Sequence, residues 1–481
     1  MIMPLLIRFF LVIEVLTSCQ DNSSLGTSAN TPPVSGQRPN IIFLLTDDQR
    51  FDALGFAGNP ILKTPNIDKL AREGIFFKNA FVTTSICAMS RASIFTGQYA
   101  RRHGIWDFGK SMSPSQYENT YPAVLKRAGY ATGFIGKFGV GNISLETATR
   151  YFDYWKGFNG QGSYNASENN QAIHLTEKTG NQIEEFIDLQ KGSSRPFCLS
   201  VSFKAPHVEG DPGYFLPEEK YTSLYVNDFV QPPLEAKPEY FNYFPPNFIT
   251  NHNGALNSAR SRWMDRFSSP EKYQENTKKY FQLIYGVDVV VGRLLEKLKS
   301  VGLDKNTVIV FSSDNGFYLG EYGFSDKWYG SNASIHVPLI LYDPRPAAAK
   351  QKTIDQLVLN IDIAPTLLSI ANATIPVGMQ GNDLTKLLSN NTSNWRTEFL
   401  YEHLWNSSDS YYIPSTEGVV TEQYKYMRYF VNRDSANLIF EELYKRSNNE
   451  PEINNLASDP DHQSIAMSMK KKLSALIDRA R

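Results

Sequence analysis

Cysteine and histidine are scarce: the 481 residues include three cysteines and seven histidines. Three thiols cannot build a disulfide framework, so each cysteine needs its own explanation. The chain also lacks an excess of charge, with 48 Lys and Arg against 49 Asp and Glu for a formal net charge of −1. That balance argues against a dedicated nucleic-acid binder, which normally carries a basic surplus. No internal repeat is visible. At 41% hydrophobic and 20% charged residues the composition is that of an ordinary globular protein, long enough for two domains or one large domain with an appendage.

Residues 1–18 form an apolar stretch with Arg8 as its early positive charge. It is short for a membrane span and reads as an export signal. The following Leu16-Thr17-Ser18-Cys19 resembles a bacterial lipobox. The resemblance implies cleavage before Cys19, lipidation of its thiol, and a periplasmic or cell-surface protein held to the membrane only through that anchor. Residues 19–38 are rich in Ser, Asn, Gly and Pro and read as a tether.

Two apolar runs end abruptly in oxygen ligands: Asn40 to Thr46 before Asp47-Asp48, and Thr307 to Ser313 before Asp314-Asn315. Runs without alternation predict strands buried on both faces, as in the mostly parallel sheet of an α/β protein. Ligands of such sheets bind at the carboxyl ends of the strands, so these two runs would bring four oxygen ligands to one edge. Strands are also predicted over 131–136, 196–203 and 337–342, with helices from Thr64 and over Tyr273–Ser300. Residues 208–270, rich in Tyr, Phe, Pro and Asn, read as a long ordered insertion near the site. After Asn394 the pattern changes to short strands and a terminal amphipathic helix near Met467–Ala480.

Cys87 precedes a predicted helix, with Arg91 one turn on, a setting that favours negative charge on sulfur. The stretch Cys87-AMSRASIFT-Gly97 resembles the sulfatase signature C-x-P-S-R-x-x-x-x-T-G. The resemblance extends through PNIIFLLTDDQ, TPNIDKLAREGIFFKNAFV, GKFGVG, KAPH and FSSDNGFYLGEYGFSDKW to YKYMRY. It implies an alkaline-phosphatase-like fold: a large, mixed, mostly parallel sheet flanked by helices, with a smaller C-terminal antiparallel sheet plus helix. On this reading residues 39–393 form the catalytic domain and 394–481 a small α+β subdomain. The resemblance further implies that a maturation enzyme converts Cys87 to Cα-formylglycine. Asp47, Asp48, Asp314 and Asn315 would bind calcium together with the modified Cys87, Arg91 and Lys137 would orient it, and His207 and Lys327 would contact the sulfate ester. Independently of the family, Asp and Asn oxygens are hard ligands suited to calcium or magnesium. His207 is the better proton donor to a leaving alcohol, because imidazole changes charge near neutral pH.

Two departures stand out. Met89 replaces the proline of the signature, and Gly139 stands where the family motif G-K-W-H-x-G has histidine. Cys198 lies in an apolar run and reads as a core residue. His103, His336 and His403 are weaker candidates for substrate contact, and the insertion's aromatics are read equally as sugar platforms or as packing. The expected activity is release of sulfate from a sulfated oligo- or polysaccharide. A phosphodiesterase or phosphonate monoester hydrolase on the same scaffold, and a non-catalytic glycan binder, are the alternatives.

Overall fold

The computed structural model describes residues 38–481 apart from 212, 347, 349–351, 389–393, 409–410 and 447–450. The predicted signal, tether and Cys19 lie outside the described residues. Residues 38–481 make one compact unit, the 394–481 segment included.

Eight strands form the main sheet: β1 (Asn40–Asp47), β2 (Ile75–Phe81), β3 (Ala131–Lys137), β4 (Tyr154–Phe158), β5 (Phe197–Pro206), β6 (Thr307–Ser313), β7 (Leu339–Tyr342) and β8 (Lys352–Leu359). Their spatial order is β8-β2-β7-β6-β1-β5-β3-β4, and only β7 runs antiparallel to its neighbours. The sheet is thus mixed and mostly parallel, as expected. Ile42 and Leu44 of β1 enter the core on one face, while Ile41, Phe43 and Leu45 enter the core on the other. Coverage of both faces explains the unbroken apolar run, each such side chain contributing about 1.5–3 kcal/mol by burial. Cys198 of β5 is buried in the second core.

Helix α1 (Pro65–Glu73) and the long α2 (Pro270–Ser300) pack on one face. Ser269 caps α2 through its hydroxyl, which accepts from Lys272 N at 3.2 Å. Asp288 of α2 in turn accepts from the Asn66 and Ile67 amides at the start of α1, satisfying donors that the α1 backbone leaves open. The second sheet comprises β9 (Glu398–His403), β10 (Ser415–Thr421), β11 (Tyr424–Phe430) and β12 (Leu438–Lys445), antiparallel throughout. Leu400, Val419, Tyr426 and Leu443 on one of its faces meet Met469 and Leu473 of the terminal helix, Gln463–Arg479. That helix starts four residues before the predicted Met467. Among the described residues no helix is long and apolar enough to cross a membrane.

Candidate active site

Register places the chemistry. β1 runs parallel to β6 with Thr46 opposite Ser313, so Asp47-Asp48 and Asp314-Asn315 emerge side by side at the carboxyl edge. β5 flanks β1 on its other side with Pro206 opposite Asp47, which delivers His207 to the same edge, and β3 ends there in Lys137. Asp48 has φ of 69°, a left-handed conformation that Asp tolerates better than most residues. The turn is pinned from α2, whose Tyr280 hydroxyl donates to Asp48 O at 2.8 Å.

Cys87 opens the helix Cys87–Thr96, every residue of which is buried. Its thiol donates to Asp47 Oδ1 at 3.4 Å. Arg91, one turn on, donates through Nε to Asp314 Oδ2 at 2.8 Å and lies 3.3 Å from Asp47. Lys137 pairs with Asp47, and Lys327 donates to Asp48 Oδ1 at 2.5 Å. His207 Nδ1 lies 2.8 Å from the Val208 carbonyl, which can only accept. Nε2 is therefore the free ring nitrogen, and it sits 3.8 Å from Asp48 Oδ2.

Three buried carboxylates cannot all ionise alike at this spacing. Burial opposes the charge of Asp47, but Lys137, His207, Arg91 and Lys327 outweigh it and hold Asp47 well below the ordinary range. Asp48 is pushed up to about 7 by burial, with Asp47 and Asp314 adding to the rise against Lys327. Asp314 is also raised, by burial and by Asp47. Burial and Asp47 push the Cys87 thiol up to about 12. This runs against the expectation from the helix start: burial first, then Asp47 and Asp314, outweigh the nearby cations Lys137 and Lys327 and favour the protonated thiol of the unmodified cysteine.

The ligand-capable atoms of Asp47, Asp48 and Asp314 lie within 4.8 Å of one another, as do those of Asp47, Cys87 and His207. Asp48 Oδ2 and Asn315 Oδ1 are buried without a hydrogen-bond partner among the described residues. Orphaned buried oxygens beside raised carboxylates fit a hard divalent cation.

Above this cluster Cys87, His207 and Lys327 line a cavity of about 210 Å³, together with Phe108, Gln161, Arg262, Asp326, Trp328 and Tyr411. The backbone around Lys327 is unusual, with Asp326 at φ 72° and the bulky Trp328 at φ 90°. Such conformations cost roughly 1–3 kcal/mol each and persist only where surroundings enforce them. The enforcement comes from the helix Ser258–Arg266 of the insertion. Arg262 donates to Asp326 at 2.6 Å and to the Tyr411 hydroxyl at 2.8 Å, and it lies over the Trp328 and Tyr411 rings. Arg266 pairs with Asp326 and donates to Gly213 O at 3.0 Å. The insertion therefore braces the lysine segment and the loop after His207 with charge; its Phe244 and Phe248 are packed in the core.

The three weaker histidine candidates lie outside this cavity. His103 is buried with Nε2 3.0 Å from Ser93 Oγ. His336 stacks on Phe51 and Phe81 and lines a different cavity, of about 490 Å³. His403 is fully buried against Trp405. None of the three lines the cavity above Cys87. Sequence reasoning missed Gln161, Arg262, Asp326 and Tyr411. Only Asp326, next to Lys327, carried any signal.

A family model described as Sulfatase matches residues 39–373, and one described as N-sulphoglucosamine sulphohydrolase, C-terminal, matches residues 320–479. An N-acetylglucosamine-6-O-sulfatase of Bacteroides thetaiotaomicron is 26% identical, the alignment covering 90% of this chain and 85% of that one. An ulvan-active sulfatase of Formosa agariphila is 28% identical over 96% of this chain and 86% of that one. Among solved structures, one in complex with its substrate D-glucosamine-2-N,6-O-disulfate superposes with a TM-score of 0.76 at 24% identity, covering 92% of this chain and 98% of that one. A phosphonate monoester hydrolase of Agrobacterium radiobacter superposes with a TM-score of 0.73 at 21% identity, covering 92% and 96%. With the first family model spanning most of the compact unit, the chain belongs to the sulfatase family and is a sulfuric ester hydrolase.

Proposed function

We propose that the protein removes sulfate from a sulfated carbohydrate, with Cys87 matured to Cα-formylglycine and one calcium ion held by Asp47, Asp48, Asp314 and Asn315. The observation that carries this reading is the place of Cys87, whose buried thiol lies 3.4 Å from Asp47 Oδ1 in one cluster with Asp47 and His207; burial and Asp47 push it up to about 12, which disfavours attack by an unmodified thiolate. When present, the aldehyde hydrate supplies the nucleophilic hydroxyl and the calcium neutralises charge.

The chain's own residues supply the rest. Arg91 braces Asp314 and Asp47 and thereby fixes the position of residue 87 at the helix start. Lys327, which Asp48, Cys87 and Asp47 hold well above its ordinary value against the effect of burial, presents a permanent cation to the sulfuryl oxygens. His207 donates through Nδ1 to Val208 O and so keeps Nε2 turned to the cavity, where it protonates the leaving alcohol. Burial holds His207 well below its ordinary value. An arriving sulfate monoanion favours its charged form, so the proton becomes available when substrate is bound.

The named relatives support a glycan substrate, since they include an N-acetylglucosamine-6-O-sulfatase and an ulvan-active sulfatase. A sulfated oligo- or polysaccharide is then the partner, met by a protein that is exported and tethered through Cys19. Because a phosphonate monoester hydrolase shares the fold, the test compares both reactions. Protein whose residue 87 is shown by peptide mass spectrometry to be the aldehyde is offered sulfated oligosaccharides, nitrophenyl sulfate and a phosphonate monoester. Sulfate release fastest on an oligosaccharide is expected. Preference for the phosphonate, or unmodified cysteine in protein from the native host, would overturn the reading.

A further inference from the structure

Residue 139 is a glycine where the sulfatase motif that this chain resembles has histidine, and the structure brings another polar side chain to Lys137 from a different strand connection. A Cβ built on Gly139 would lie 3.5 Å from Lys137 Cε. The end of the same lysine, Nζ, donates to Gln161 Oε1 at 2.5 Å. Gln161 thus abuts the lysine side chain that a residue at 139 would flank, and it lines the cavity with Cys87, His207 and Lys327.

Gln161 is held in place at three points. Its turn is Gly160-Gln161-Gly162, with both glycines at positive φ, 68° and 62°. A Cβ at Gly162 would come within 2.5 Å of the Phe158 ring, so this position admits only glycine without rearrangement. The Gln161 carbonyl accepts from Lys204 Nζ at 3.2 Å, and the same nitrogen donates to Val208 O at 3.2 Å. Lys204, buried and pointing under both loops, thereby ties the Gln161 turn to the His207 loop. Because Lys137 can only donate, the amide oxygen must face it, and the Gln161 amide nitrogen faces away from it. That nitrogen makes no hydrogen bond among the described residues.

We propose that Gln161 is a sulfate-binding residue of this enzyme, its amide N–H groups donating to a sulfuryl oxygen in the cavity that it lines with Cys87, His207 and Lys327. This rests on the sulfate-ester reading above. A neutral donor suits the position: Lys137 and Lys327 already supply charge, and an amide has no proton to lose.

Two substitutions separate direct contact from mere support of Lys137. Gln161→Ala removes the donor, and Gln161→Glu keeps an acceptor for Lys137 while replacing the donor by a carboxylate oxygen. Binding of inorganic sulfate by calorimetry, alongside kcat and KM on a sulfated oligosaccharide, is the readout. A hydrogen bond to a charged group is worth about 1.5–3 kcal/mol, so Gln161→Ala is expected to weaken sulfate binding by roughly tenfold or more, with the melting temperature of the free protein unchanged. Gln161→Glu is expected to weaken it further. Sulfate affinity equal to wild type in Gln161→Ala, or retained in Gln161→Glu, would overturn the proposal while leaving sulfate release by the wild type intact. A wild-type protein that neither binds sulfate nor releases it would instead remove the functional reading on which the proposal stands.

Discussion

Restoring the histidine that the sulfatase motif carries should damage this protein. Gly139 has φ of 75°, which for a residue with a side chain costs roughly 1–2 kcal/mol. A Cβ there would lie 2.6 Å from Arg91 Cδ and 3.1 Å from Arg91 Nε. Arg91 cannot move aside at small cost: it is buried and donates to Asp314 at 2.8 Å, to Lys137 O at 2.9 Å and to Ser202. Breaking one partner out of a buried ion pair typically costs about 3–5 kcal/mol. Gly139→Ala alone should therefore lower the melting temperature by several degrees, and Gly139→His by at least as much. Both should cut sulfate release by tenfold or more, since Arg91 holds two of the three carboxylates at the site. Differential scanning fluorimetry and kcat on the preferred oligosaccharide measure the two effects. A Gly139→His protein with the wild-type melting temperature and faster turnover would refute the reasoning, because it would mean that Arg91 and the turn readily adapt.

Two further outcomes follow from the surroundings of the site. Asp326→Asn leaves the left-handed backbone accessible but strips the carboxylate from Arg262 and Arg266, so a stability loss of about 3–5 kcal/mol and a fall in kcat as Lys327 shifts are expected; denaturant unfolding at the wild-type midpoint would count against this. His403 is buried with neither ring nitrogen partnered among the described residues, and burial with Arg433 lowers it to about 3. Its folded value lies below the unfolded one near 6.5, so the stability it permits is present above that pH and is lost as pH falls toward 3. By pH 5 the loss is about 2 kcal/mol. His403→Phe keeps the ring stacked on Trp405 and should gain on the wild type as pH falls from 7.5 to 5, whereas a constant difference in melting temperature would show that the histidine does not titrate in this range.

The main sheet was readable because five of its strands are apolar runs covered on both faces, and burial writes directly into composition. β2 and β8 were harder. β2 reads Ile75-Phe-Phe-Lys-Asn-Ala-Phe81, with Lys78 and Asn79 only partly buried in mid-strand, and β8 includes Lys352, Asp355 and Gln356. Partial exposure breaks the apolar signal without supplying a regular alternation. The nucleophile and metal candidates were legible because their chemistry is local in sequence: two carboxylates end one strand, and Asp-Asn ends another. Gln161 and Arg262 were not, because nothing in a Gly-Gln-Gly turn or in one arginine of a polar helix states which strand edge it will face. Their roles arise only when β3, β4 and β5 bring the 161 turn beside Lys137, and when the insertion folds back over Lys327.

Near-neutral net charge and an anionic substrate are reconciled at this edge of the sheet. Asp47, Asp48 and Asp314 face Arg91, Lys137 and Lys327, three acidic side chains against three basic ones, which balance when all are ionised. With all of them ionised the site holds no strong attraction for a sulfate ester, and the raised Asp48 and Asp314 show that the carboxylates are crowded. A divalent cation would relieve that crowding and leave the site positive by two charges, confined to a cavity of about 210 Å³. Field confined in this way needs no basic surface. The neighbouring charges are cancelled in the same local manner, Lys204 lying 3.4 Å from Glu209 and Arg262 bonded to Asp326. Recognition of the anion is thus built from a few buried pairs, and the remainder of the surface is free to stay neutral.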